Sequence, residues 1–120
     1  MGITLERMPE LTESAACLLR RGGSPTTWAE IVDGIKTRRV QLFHASNGSY
    51  LVLSITRNDK LFIHACAGCD ARILMQLCIQ TARHNHCTSV LFCTVRKGLL
   101  RLLREFNPVQ TGNTTYRVAL

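Results

Sequence analysis

Residues 70–84, DARILMQLCIQTARH, constrain the fold more than any other stretch of the chain. At helical spacing Arg72, Gln76, Gln80 and Arg83 fall on one narrow polar stripe, while Ile73, Leu74, Met75, Leu77, Cys78, Ile79 and Ala82 cover most of the remaining girth. A helix that apolar needs cover on more than one side. Its flanks offer that cover. Residues 61–65 read as a strand, and residues 89–95 form a continuous apolar strand suited to the middle of a sheet. Strand, helix and strand in that order predict a right-handed crossover joining parallel neighbours.

The rest of the chain fits around this unit. Ile3, Thr4 and Leu5 form a short strand ended near Pro9. Leu11, Ala15, Leu18 and Leu19 recur at helical spacing until Gly22 and Gly23 stop the helix. Thr27-Trp28-Ala29-Glu30 has the form of a capping box, in which the Thr hydroxyl and the Glu carboxylate satisfy the first free amides. Trp28, Ile31, Val32 and Ile35 then share one face of a helix over 27–37, which places Trp28 in the core. Asn47-Gly48 is a two-residue hairpin signal between strands at 40–45 and 50–56, and Asn58-Asp59 turns the chain again into 61–65. The three strands make an antiparallel meander. Residues 98–106 read as a short helix with Leu99, Leu102, Leu103 and Phe106 inward and Lys97, Arg101 and Arg104 outward; residues 114–120 are a last strand. The order is β-α-α-β-β-β-α-β-α-β, an α+β fold with one mixed sheet covered by helices. The length of 120 residues predicts a single domain, 1–120.

The formal charge of +7 favours acidic partners: a nucleotide cofactor, nucleic acid or an acidic protein surface. No apolar run approaches the roughly 18 residues of a membrane span. The opening MGITLERMPELTES is neither a signal peptide nor a basic transit segment, and Glu6 stands where a myristoylation pattern needs Ser or Thr. Six cysteines without an export signal predict a reducing compartment, which makes the glycosylation triplets at Asn47 and Asn113 accidental.

Chemistry concentrates at 64–87, which holds four of the six cysteines and three of the four histidines. Cys66 and Cys69 have the two-residue gap of a zinc knuckle, with His64 nearby and His84, His86 and Cys87 as further donors. A helix of about 15 residues and about 22 Å would separate those two groups, so no metal site is expected. Cysteine is more often a small buried hydrophobe. A phosphate-binding reading rests on the strand-to-helix turn Cys66-Ala67-Gly68-Cys69-Asp70-Ala71. Small residues admit a ligand to the backbone, and first-turn amides attract anions. Asp70 opposes it, since as an N-cap it would fill those amides with its own carboxylate.

Taken in order, these elements resemble the GCN5-related N-acetyltransferase (GNAT) fold, and most closely the small GNAT-like proteins encoded by tailed bacteriophages. The resemblance covers nearly the whole chain. It is clearest at residues 28–35 leading into 39–43, at Ala67-Gly68 with the helix ending Thr81-Ala82-Arg83, and at Val95-Arg96-Lys97-Gly98 with the leucine-rich turns after it. The family's cofactor motif, Arg/Gln-x-x-Gly-x-Gly/Ala, falls on Cys66, Cys69 and Ala71, of which only Ala71 matches. By resemblance the cofactor would lie along Cys66, Ala67, Gly68, Cys69, Asp70, Ala71 and Arg72, with Arg72 as the one basic side chain able to compensate. A general base would be sought at His64. The tyrosine expected in the last helix is absent, and Tyr116 sits in the last strand instead.

The resemblance implies a phage-encoded GNAT-fold protein, and its depleted motif one that is not catalytic and binds no cofactor. It would be a virion-associated component for ejection or assembly, found in the virion or the host cytoplasm. Its partners would be other virion or assembly proteins, further copies of itself, and DNA through its basic faces. The alternative is an active acetyl-coenzyme A-dependent N-acetyltransferase acting on a small amine or a protein lysine. Against both stands the ordinary reading, in which Lys97, Arg101 and Arg104 are a solvated face and His64 is a hydrogen-bonded half-buried residue.

Overall fold

The computed structural model describes residues 5–22, 28–68, 71–94 and 97–120. The elements run β1 (Leu5–Met8), α1 (Glu13–Gly22), α2 (Trp28–Lys36), β2 (Gln41–Ala45), β3 (Tyr50–Ile55), β4 (Lys60–Ala67), α3 (Ala71–His84), β5 (Ser89–Cys93), α4 (Lys97–Leu102), a 3-10 turn (Arg104–Phe106), β6 (Val109–Gln110) and β7 (Thr115–Ala119). The seven strands form one mixed sheet in the order β1-β2-β3-β4-β5-β7-β6. This is the predicted α+β order with one strand added. The chain packs as two compact units, Met1–Ser54 with His64–Cys69, and Ile55–Ile63 with Asp70–Leu120.

In the first unit β1 pairs antiparallel with β2, Met8 opposite Leu42, and β2 with β3, Leu42 opposite Val52. The predicted strand at 3–5 lies later, at Leu5–Met8, while Ile3 and Thr4 fall outside the described residues. Thr12 caps α1 by accepting the Ala15 amide at 3.2 Å. Ala15 and Leu19 are buried as their spacing predicts, but Leu18 faces solvent. They join Ile31, Ile35, Leu42, Val52 and Ala65 in one apolar cluster. Trp28 is half-buried at the edge of that cluster rather than in its centre, and the Arg20 guanidinium lies 5.6 Å from its ring centroid, within cation–π range. The predicted capping box rests on Thr27, outside the described residues.

Both meander turns close over three residues, not two. Gly48 N–H donates to Ala45 O at 2.9 Å while Ala45 and Ser49 still pair, and Gly48 sits at φ 89°. The second turn repeats this with Asp59 donating to Thr56 O at 3.2 Å and Asp59 at φ 57°. Each is a type I turn closed by a left-handed residue, the usual form of a three-residue hairpin.

In the second unit β4 and β5 are parallel, with Lys60, Leu61 and Phe62 opposite Ser89, Val90 and Leu91. The predicted strand–helix–strand crossover therefore stands. Leu74, Met75, Leu77, Cys78 and Ala82 are the buried side of α3, and the Arg72-Gln76-Gln80-Arg83 stripe is exposed. β5 is central, between β4 and β7.

Two expectations fail here. The helix over 98–106 is two pieces: α4 ends at Leu102, and a 3-10 turn follows, capped by Asn107 at φ 53° before Pro108. Pro108 has no N–H to continue a helix, and the tighter turn changes the phase. Leu103 is buried at 2% exposure, whereas Leu102, expected inward, is 57% exposed. The added strand is β6, whose Val109 and Gln110 pair with Arg117 and Tyr116 of β7. Two residues following a proline leave no alternation to read.

Candidate functional site

His64 stands on β4 with its Nε2 2.7 Å from Ser54 Oγ on β3. Partial burial lowers its pKa below the usual histidine value, because losing water penalises the charged ring. At neutral pH the imidazole is therefore uncharged, the state in which one ring nitrogen can accept a proton.

Beyond His64 the strand ends on residues the sequence singles out. Cys66 is exposed and Ala67 is half-buried against the apolar cluster of the first unit. Gly68 has φ 154°, and a Cβ placed there would lie 2.1 Å from Ser49 Oγ and 3.0 Å from Ser49 Cα. Only glycine fits so close to another backbone. Ser49 is fully buried, and its hydroxyl finds no hydrogen-bond partner among the described residues. Cys69 and Asp70, and with them the expected N-cap, lie outside the described residues.

Ala71 opens α3 and Arg72 follows in its first turn. Arg72, the side chain that could compensate for the depleted motif, ion-pairs with Glu105 of the 3-10 turn. His64, Cys66, Ala67 and Gly68 belong to the first unit, Ala71 and Arg72 to the second. Pairings at these positions include His64 with Ser54, Gly68 against Ser49, and Arg72 with Glu105. Ser49, Ser54 and Glu105 were not foreseen, since no sequence spacing links them to their partners.

Among the described residues no three His, Cys, Asp or Glu side chains come together as metal donors, and Cys17, Cys87 and Cys93 are free thiols. Burial and then the Asp59 carboxylate push the Cys87 thiol up, which keeps it protonated. No helix among the described residues is long and apolar enough to cross a membrane. Tyr116 stacks on Phe92 with ring centroids 5.7 Å apart, held within the sheet. A half-open cavity of about 290 Å³ in the first unit is lined by Arg7, Arg38, Ile35 and Leu42 among others, and contains none of the residues above.

No protein-family profile matches the sequence, and no curated protein matches it either. Solved structures do match over their full lengths. An IAA acetyltransferase from Bacillus cereus superposes with a TM-score of 0.70 at 14% identity, over 99% of this chain and 100% of that one. A Bacillus subtilis acetyltransferase in complex with CoA gives 0.72 at 14% identity, over 99% of each chain. A GNAT family acetyltransferase from Elizabethkingia anophelis with acetyl-CoA bound gives 0.70 at 15% identity, again over 99% of each. At such identities the likeness is one of fold: this chain has the architecture of the GNAT acetyltransferases.

Proposed function

We propose that this chain is a GNAT-fold binding protein that has lost acetyl transfer, a virion-associated ejection or assembly component of a tailed phage. The observation that carries the reading is the ion pair of Arg72 with Glu105. Fold neighbours are described with CoA or acetyl-CoA bound, and such a cofactor brings a diphosphate. Anions at a helix N-terminus rely on free amides and unneutralised cations. Here the first-turn cation of α3 is already matched by a carboxylate, and the residue before the helix in sequence is another acid, Asp70. The residues present do not suit a diphosphate.

The phage setting draws support from the sequence resemblance at 95–103, and a role through protein partners or self-association from the +7 charge and small size. The site of action would be the virion or the host cytoplasm.

A second reading, acetyl-coenzyme A-dependent transfer to a small amine or protein lysine, has one observation in its favour: the uncharged His64 ring is in the protonation state of a general base. Calorimetric titration with acetyl-coenzyme A decides between them. No saturable binding is expected, and micromolar affinity would overturn the proposal. Mass spectrometry of purified particles tests the virion role, which fails if the chain is not a stoichiometric component.

A further inference from the structure

The positive charge of the chain is concentrated in one unit. Ile55–Ile63 with Asp70–Leu120 holds nine Lys and Arg against three Asp and Glu, net +6, while the other unit, with six against five, holds the remaining +1. Within the basic unit the described cations gather on helices. α3 displays Arg72, Gln76, Gln80 and Arg83 along its exposed side. α4 packs against α3 and displays Lys97 and Arg101, and Arg104 follows at once; all three are exposed. Glu105, already bound to Arg72, is the one carboxylate on these helices and the 3-10 turn after them.

We infer that this helical face binds the phosphate backbone of nucleic acid without reading its sequence. With Arg72 held by Glu105, the exposed cations left for phosphate are Arg83, Lys97, Arg101 and Arg104, enough to meet several phosphates. Guanidinium forks suit phosphate oxygens, and Gln76 and Gln80 on the same α3 stripe add neutral donors. A protein partner would need a cluster of aromatic or aliphatic anchors, whereas the α3 stripe has only guanidinium and amide groups and α4 adds Leu102 alone as an exposed large apolar side chain. No aromatic side chain interleaves with these charges to stack on bases, so contact stops at the backbone.

The inference names a partner for the binding component proposed above and rests on that reading for its setting, not for its chemistry. The test is fluorescence anisotropy of the full chain with a labelled duplex. With four phosphates neutralised, log K should fall against log salt with a slope of about −3.6, a loss of roughly 150-fold between about 50 and 200 mM salt. The double variant R83E/R101E should weaken binding at least tenfold and flatten the slope by about two. R7E/K36E, an equal charge change at exposed sites of the other unit, should alter affinity less than twofold. Thermal melts establish that both variants stay folded. Absence of binding at low salt, an equal effect from R7E/K36E, or tighter binding to polyglutamate than to the duplex would each overturn the inference. Acetyl-coenzyme A titration of the same preparation reads the parent proposal separately: bound cofactor with intact duplex binding sinks that proposal and leaves this one standing.

Discussion

Arg72 donates to the Glu105 carboxylate across 33 positions of sequence, tying the first turn of α3 to the 3-10 turn after α4. Both side chains are about half exposed, at 53% and 46%, so the pair contributes at most about 1 kcal/mol to stability. Its larger consequence is electrostatic. Glu105→Gln should leave the unfolding midpoint almost unchanged while removing the carboxylate charge beside Arg72. Calorimetry should then detect saturable acetyl-coenzyme A binding that the parent chain does not show. Equal, undetectable binding in both proteins would mean that the pair is not what keeps the cofactor out.

The approach of Gly68 to Ser49 makes opposite predictions for its two members. Gly68→Ala puts a Cβ 2.5 Å from Ser49 Cβ and 3.0 Å from its Cα, so rotating the hydroxyl away cannot relieve the clash. The φ of 154° adds strain for any side chain. A loss of about 1–3 kcal/mol is expected in urea unfolding. Ser49→Ala removes a fully buried hydroxyl with no partner among the described residues, and should raise stability by about 1 kcal/mol. A destabilised Ser49→Ala protein would show that the hydroxyl is satisfied after all.

His64 imposes a pH dependence whose sign follows from its lowered pKa. The unfolded chain takes up a proton near the ordinary histidine value, about 6.5, before the folded chain does. Below that pH the unfolded state binds more protons, so folding stability falls with acidification until the folded pKa is passed. Above it the residue has no effect. Urea midpoints measured from about pH 7.5 to 5 should decline. His64→Gln, which keeps a hydrogen-bonding group near Ser54, should flatten that decline. An unchanged slope in the variant would assign the pH dependence to other groups.

How far the sequence reaches depends on where each cause lies. The buried and exposed sides of α3 are legible because fourteen residues of 3.6-residue periodicity leave Arg72, Gln76, Gln80 and Arg83 as a single stripe. The parallel crossover follows from that helix and the apolar run of β5. The hairpins are legible as turns, but not as three-residue turns, because Gly48 and Asp59 take left-handed conformations after a type I turn and the dipeptides Asn47-Gly48 and Asn58-Asp59 also suit a tighter loop. The candidate site is less legible. His64, Gly68 and Arg72 can be picked out by type and position. Their partners Ser54, Ser49 and Glu105 are brought to them by the folded chain, and a lone serine or glutamate carries no signal of that.

The end of α4 offers the sharpest check on the fold. Helical spacing over 98–106 turns Leu102 and Leu103 both inward, but the change to a 3-10 turn before Pro108 leaves Leu102 in solvent and buries Leu103 almost completely. Truncating a buried leucine costs its transfer free energy plus that of the cavity left behind. Leu103→Ala should therefore lose about 3 kcal/mol in urea unfolding. Leu102→Ala, at an exposed position, should stay within about 0.5 kcal/mol of the parent. If the two costs are instead comparable, the helix continues through Leu103 in regular phase, and the exposed face that presents Arg101 and Arg104 is rotated from the arrangement described.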